Sequence, residues 1–275
     1  MNIESISYRA DDPDCVDRVA AAVEEHGCAL VLDLYTGDQL AALQEWNRGL
    51  VDQAPTLYPD YWKPGDAVFA IKSVYEICPE AIEMTLTPAL VKLLLATSGG
   101  APLDFHAATI MGRTGEHGNR IEWHQDNGIP VDRDLKDERS KGLREGGVPY
   151  RFGRDADLER GIECRINIEP QREDGGCLHV FPGSHRWPVA DYDGIAEQIG
   201  DRPSLPCPAP AGSGLIFRPK LAHMSYPAST PLPDGERRCV LQVQLHETGV
   251  ELEQGLNWWG WEQTPRITPQ GVELV

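Results

Sequence analysis

Basic residues are the first thing this sequence is short of. Its 25 Lys and Arg stand against 43 Asp and Glu, a formal net charge of −18. Binding to nucleic acid needs clustered Lys and Arg, so this balance excludes a nonspecific nucleic-acid partner and argues against an anionic membrane surface. Long apolar runs are missing too. No stretch approaches the roughly 18 apolar residues of a membrane span. The opening Met1-Asn2-Ile3-Glu4-Ser5 has no basic region leading into an apolar run, so no secretory signal is expected. The ending Val272-Glu273-Leu274-Val275 carries no lipidation or peroxisomal address. Paired cysteines are the third absence. The seven cysteines, at 15, 28, 78, 164, 177, 207 and 239, are odd in number and contain no C-x-x-C spacing. A zinc ribbon or a disulfide framework is therefore not expected. Reduced thiols in a cytoplasmic protein are the plain reading.

What is present is enough for a globular core: 275 residues, 41% hydrophobic. Val16, Val19, Ala20 and Val23 recur at helical spacing between Asp14 and His26, and Gly27 supplies a stop. Cys28 to Leu34 reads as a short buried strand. Thr36 reads as the cap of a second helix reaching about Asp52, with Leu40, Leu43 and Trp46 on one face. A third helical stretch covers Pro79 to Thr97, interrupted at Pro88 and ended by Gly99-Gly100. Residues 1–100 are thus expected to form a mostly helical layer. Beyond them, segments 103–111, 120–126, 162–168, 177–181, 214–217 and 238–245 are short, β-rich and separated by Gly and Pro, which points to an all-β sandwich or barrel. Residues 133–160 break the pattern with a dense mixture of charges. They read either as a solvated insertion or as an active-site lid. Residues 133–165 hold nine of the Lys and Arg and only eight of the Asp and Glu, so an acidic chain frames a locally neutral, Arg-rich segment.

The most informative short run is Glu122-Trp123-His124-Gln125-Asp126. On a strand, residues i and i+2 share a face, ~6.6 Å apart along the chain. His124 and Asp126 can therefore reach one metal ion together. An imidazole nitrogen and a carboxylate oxygen suit Fe(II), and a second His from elsewhere would complete a facial triad with open positions. Three further blocks follow in order. The first is the strand and turn Gly175-Gly176-Cys177-Leu178-His179-Val180-Phe181-Pro182-Gly183-Ser184-His185. The second is Gly212-Ser213-Gly214-Leu215-Ile216-Phe217. The third is His223-Met224-Ser225, ahead of a strand opening with Arg237-Arg238-Cys239-Val240-Leu241.

This ordered set resembles the phytanoyl-CoA dioxygenase (PhyH) family of Fe(II)/2-oxoglutarate-dependent oxygenases, over about residues 15 to 246. Gly175 stands where the family usually has Asn. The resemblance implies a mainly β fold with outer helices, built on a double-stranded β-helix (jelly-roll, cupin-like) core. It implies one domain over residues 1–275, with the core at 101–250. It further implies that His124, Asp126 and His223 hold the iron. An arginine on the last core strand would then pair with the distal carboxylate of 2-oxoglutarate, as a guanidinium fork can do bidentately. Strand alternation lets only one of Arg237 and Arg238 face inward. Arg237 is preferred, because it shares its face with the apolar Cys239, Leu241, Val243 and Leu245. Arg238 goes instead with Gln242 and Gln244. Ser225 is a candidate for the same carboxylate.

Glu163, Arg165 and Asn167 alternate onto one face. That face is either solvent or the barrel interior, where the family often has a Trp and where Arg165 would contact an anionic substrate. Among the other histidines, His185 is expected to order its turn, His106 to line the cofactor pocket, and His26 and His246 to be structural. Trp258, Trp259 and Trp261 read as packing residues. The expected activity is oxidation, foremost hydroxylation, of an unactivated C–H of a small polar or anionic metabolite, with O2 consumed and succinate and CO2 as co-products. The intact Asp126 fits this, since halogenating relatives carry a small residue in its place. Desaturation, cyclisation, a non-catalytic jelly-roll binding protein and a zinc hydrolase are the alternatives. A monomer or homodimer is expected.

Overall fold

The computed structural model describes residues 1–64, 68–114, 120–233, 236–261 and 263–275. His117, a histidine in a Gly-rich segment of the sequence, and Asp234-Gly235, part of the turn-like run ahead of Arg237, lie outside them. The architecture is two facing sheets with helices packed on the outer side of the larger one. The major sheet runs, in spatial order, Ser7–Arg9, Cys28–Leu32, Gly214–Phe217, Gly161–Asn167, Arg238–Glu247 and Leu103–Arg113, with the hairpin of Pro265–Thr268 and Gly271–Leu274 at one end. Trp62–Lys63 and Val68–Ile71 join through Leu103–Arg113. The minor sheet runs Leu205–Pro206, Leu178–Val180, His223–Ser225 and Ile121–His124.

The first hundred residues are thus not a purely helical layer, since four of their short segments extend the major sheet. Cys28–Leu32 is buried along almost its whole length, as expected of a strand covered on both sides. The helices Cys15–His26, Gly37–Leu57 and Pro88–Thr97 bury Val19, Leu43, Leu50, Leu90 and Leu94 against the outer face of the major sheet. Pro88 does not interrupt a helix but opens one, at the position where its missing N–H costs nothing. Gly27 ends the first helix at φ 84°, and a Cβ there would lie 2.4 Å from Nδ1 of His185. The His185 Nε2 reaches the carbonyl of Glu24 at 3.2 Å, so the Pro-Gly-Ser-His turn docks on this helix end.

The strand Arg238–Glu247 decides how the site is built. Its Cys239, Leu241, Val243 and Leu245 are fully buried in the core shared with the helices. Its opposite face turns Arg238, Val240, Gln242 and Gln244 toward the space between the sheets. The strand is buried on both faces, so the apolar face is not the one that lines the cavity.

Residues 133–160 carry ordered structure. Ser140–Leu143 and Gly128–Pro130 flank Pro149–Phe152 in a three-stranded sheet over the open end of the barrel. Ile129, Val131, Leu158, Leu252 and Leu256 form its own small core. Arg151, with its side chain 4% exposed, pairs with Asp137 at 3.3 Å and Glu253 at 3.0 Å. Arg139 and Arg154 also pair with Glu253, and both reach Asp157. Part of the dense mixture of charges is therefore an ion network, centred on Glu253, that ties this roof to the C-terminal segment. All seven cysteines are buried and free. Among the described residues no helix is long and apolar enough to cross a membrane.

Candidate active site

His124 ends one strand of the minor sheet, and His223 opens the neighbouring one directly opposite it. Antiparallel pairing brings the two rings to 4.1 Å between centroids. Asp126 lies just past the strand end rather than on the strand, fixed by its backbone N–H to the carbonyl of Pro219 at 2.8 Å. Its carboxylate oxygens stand 3.7 Å from Nε2 of His124 and 3.5 Å from Nε2 of His223. One ligand atom from each of the three residues lies within 4.8 Å of the others.

The tautomers support metal binding. The Nδ1 of His124 meets the carbonyl of Glu122 at 2.7 Å, and that of His223 meets the carbonyl of Leu221 at 2.8 Å. A carbonyl only accepts, so both Nδ1 atoms carry hydrogen and both Nε2 lone pairs face the carboxylate. Burial, with repulsion from His124, takes His223 down to about 4, so its imidazole is neutral near pH 7. A cation with bonds of ~2.1 Å holds neighbouring donors about 3 Å apart, so a small inward adjustment of these side chains closes them on one ion. Two imidazoles and one carboxylate on one face fit Fe(II) and leave the opposite face open.

A second layer holds the carboxylate. Gln242 donates through Nε2 to Asp126 at 2.8 Å and to Glu163 at 2.6 Å, and Gln244 donates to the other oxygen of Glu163 at 2.9 Å. Burial raises Glu163 well above the ordinary carboxylate range, and repulsion from Asp126 adds to this. Burial alone would raise Asp126 as well. Attraction to His223 and His124 and the hydrogen bonds from Glu163 and Gln242 outweigh it and keep Asp126 ionised.

Two cavities meet at this triad. The inner one, about 200 Å³, is lined by Arg113, Arg165, Arg238 and Ser225 as well as the triad. Arg113 donates to Ser225 Oγ at 2.9 Å, and its other terminal nitrogen is buried without a partner. Arg238 donates to the carbonyls of Gly175 at 2.6 Å and Gly176 at 3.2 Å, and its Nε is also unpartnered. Arg165 reaches Gln242 at 3.4 Å. Burial lowers Arg238 to about 9, with repulsion from Arg113 and Arg165. Burial likewise lowers Arg165 to about 10. No ion pair joins any of the three to a carboxylate among the described residues. Buried, mutually repelling guanidiniums of this kind make an anion pocket.

Arg237, the residue preferred from the sequence, is not in this pocket. It is exposed and pairs with Asp52 on the outer surface. The preference rested on apolar residues facing inward, and here the helices cover the apolar face. Arg165 does face the interior, but it lies in the inner pocket rather than the outer cavity. Arg113 had no signal beyond its alternation with Thr109 and Met111, and nothing in the spacing pointed to a layer built from Glu163 and Gln242.

The outer cavity, about 560 Å³, opens from the triad toward the roof sheet. His106 lies on its wall rather than in the inner pocket. His106 pairs with His246 through Nδ1 atoms 3.2 Å apart, and Trp258 stacks on His246 with centroids at 3.9 Å. Trp259 lines the cavity directly.

The model of the phytanoyl-CoA dioxygenase (PhyH) family matches residues 23–239. The chain belongs to this family. No curated protein matches the chain significantly by sequence. Among solved structures, this PhyH-family chain is similar to EctD from S. alaskensis with bound Fe, at 18% identity and TM-score 0.68, covering 92% of this chain and 84% of that one. It is also similar to the non-heme alpha ketoglutarate dependent carbocyclase SnoK from nogalamycin biosynthesis, at 16% identity and TM-score 0.67, covering 91% and 95%. A third is the epimerase SnoN in complex with Fe3+, alpha ketoglutarate and nogalamycin RO, at 14% identity and TM-score 0.64, covering 93% and 100%. At these identities the likeness establishes the fold, a jelly-roll core shared with 2-oxoglutarate-dependent enzymes.

Proposed function

We propose that this PhyH-family protein is an Fe(II)/2-oxoglutarate-dependent dioxygenase that hydroxylates an unactivated C–H of a small polar or anionic metabolite. The observation that carries the reading is the junction of a His-Asp-His triad with a buried arginine pocket. His124, Asp126 and His223 hold the iron, and the carbonyls of Glu122 and Leu221 fix the two imidazoles in the ligating tautomer. Gln242 and Glu163 hold the Asp126 carboxylate in place. Arg238 takes the part that the sequence preferred for Arg237. With Arg113 and Ser225 it receives the distal carboxylate of 2-oxoglutarate, while Arg165 faces the same co-substrate. Iron bound there would supply the reduction of O2 by 2-oxoglutarate, which leaves as succinate and CO2, coupled to oxidation of a C–H bond. The substrate enters through the outer cavity, and the roof sheet excludes water.

The carbocyclase and epimerase among the similar folds keep a second outcome open for the same site, ring formation or stereochemical inversion instead of hydroxylation. Free, buried thiols support a cytoplasmic location. The test is spectroscopic. Anaerobic Fe(II) with 2-oxoglutarate should give a weak visible charge-transfer band, and His124→Ala should abolish it. Intact, folded protein without the band would refute the iron reading and favour a non-catalytic binding protein.

A further inference from the structure

The outer cavity runs against the composition of the chain. Four Lys and Arg line it, Lys63, Lys72, Lys141 and Arg144, against two acids among the described residues, Asp126 and Asp191. Over the whole sequence the acids outnumber the bases by 43 to 25. Both acids are already engaged. Asp126 belongs to the triad, and Asp191 caps the helix Tyr192–Ile199 by accepting from Gly194 N–H at 2.8 Å. Lys141 and Arg144 pair with no carboxylate among the described residues. Lys141 is partly buried, donates to Asn127 Oδ1 at 3.2 Å and sits 4.2 Å from the centre of the Phe152 ring. Asn127 directly follows the triad carboxylate, so this ammonium stands beside the reacting end of the cavity.

Among the remaining lining residues, four present aromatic rings, Tyr150 and Phe152 from the roof with Tyr192 and Trp259, and Thr109, Gln125 and Gln244 lie between them as polar groups. Phe152 is 41% exposed and Tyr192 63% exposed, so both rings are open to a molecule in the cavity. The Tyr192 ring lies 6.3 Å from that of His124. A cavity of this size suits a compact organic molecule.

We propose that the outer cavity selects a small substrate with a flat apolar body and one carboxylate or phosphate, and that Lys141 and Arg144 are its specificity determinants. The proposal rests on the dioxygenase reading for the reaction but not for the binding. The test uses the protein loaded anaerobically with Fe(II) and saturating 2-oxoglutarate, so that the inner arginines are occupied. Calorimetry compares 3-phenylpropionate, phenyl phosphate and the neutral 3-phenylpropanamide. At least one anion should bind about ten-fold more tightly than the amide, the advantage of a charge-assisted hydrogen bond. Lys141→Gln with Arg144→Gln should remove that preference, and Lys141→Arg should keep it. The tighter of the two anions identifies the group recognised. Equal binding of acid and amide, no anion binding at millimolar concentration, or an undiminished preference in the double variant would each overturn the proposal. The visible band is read in the same samples. If it is absent, the iron reading falls, and the double variant still decides the cavity, because it leaves the inner arginines untouched.

Discussion

The two cavities that meet at His124 and Asp126 are built from different materials. The inner pocket is walled by the long central strands Leu103–Arg113, Gly161–Asn167 and Arg238–Glu247, and its arginines are tied to Ser225, Gln242 and the carbonyls of Gly175 and Gly176. The outer cavity shares His106, Ala107, Thr109 and Gln244 with these strands and adds the roof sheet and loop residues around Asp191 and Trp259. Sheet interiors hold side chains within narrow limits, whereas connecting segments vary without disturbing the barrel. On the proposed reading, co-substrate and metal fall to the inner pocket and substrate selection to the outer cavity beneath the roof.

The strongest test of that contrast exchanges the two adjacent arginines. Arg238→Gln removes a buried guanidinium from the inner pocket and should weaken 2-oxoglutarate binding by about 10- to 100-fold, the range of a lost charge-assisted pair. Arg237→Gln removes only an exposed pair with Asp52 and should change stability by less than ~0.5 kcal/mol and co-substrate affinity not at all. Titration of 2-oxoglutarate into both iron-loaded variants reads the difference. Equal behaviour of the two would mean that the inner pocket is not the co-substrate site.

The next test acts on the roof alone. Glu253 gathers Arg139, Arg151 and Arg154, and Arg151 is almost fully buried. Glu253→Gln leaves Arg151 with Asp137 as its one remaining carboxylate partner among the described residues. The expected cost is about 1–2 kcal/mol, less than for a fully buried pair because Glu253 is partly exposed. Hydrogen exchange should quicken in Pro149–Phe152 and not in Arg238–Glu247. If protection falls equally in both, the roof is not an independent unit and the division between the two cavities fails.

How much of this was legible beforehand follows from the same contrast. The helices at 15–26, 37–57 and 88–97 and most core strands show clear periodicity or turn signals, and their positions agree with expectation to within a few residues. The triad residues were singled out because His-x-Asp, a distal His and a Pro-Gly-Ser-His turn keep their order along the chain. Arg238 was misjudged because alternation tells which residues share a face but not which face meets a helix. The roof was illegible for a different reason. Its strands are short and its charges pair with Glu253, about a hundred residues away in sequence, so no local pattern announces it. Gln242 and Glu163 have the same character, since they meet only when neighbouring strands pair.

The smallest expected effect concerns the back of the inner pocket. Glu169 follows the strand Gly161–Asn167, accepts the backbone N–H of Cys239, and lies near Arg238. Burial raises its carboxyl to about 7, and the Cys239 hydrogen bond and attraction to Arg48 and Arg238 offset this only in part. An acid whose folded value exceeds its unfolded one binds its proton more tightly when folded. Its burial therefore costs nothing below about pH 4.5, and stability declines as pH rises toward 7. Glu169→Gln keeps an oxygen for the Cys239 N–H and removes the charge. The variant should match the parent near pH 4.5 and exceed it by about 1 kcal/mol at pH 8, less than the full shift implies because Glu169 is partly exposed to solvent, seen as a Tm difference that widens with pH. A constant difference at both pH values would show that Glu169 titrates no higher in the folded protein than in the unfolded chain. The positive potential of the three inner arginines would then extend beyond the pocket far enough to offset the burial of a carboxylate behind it.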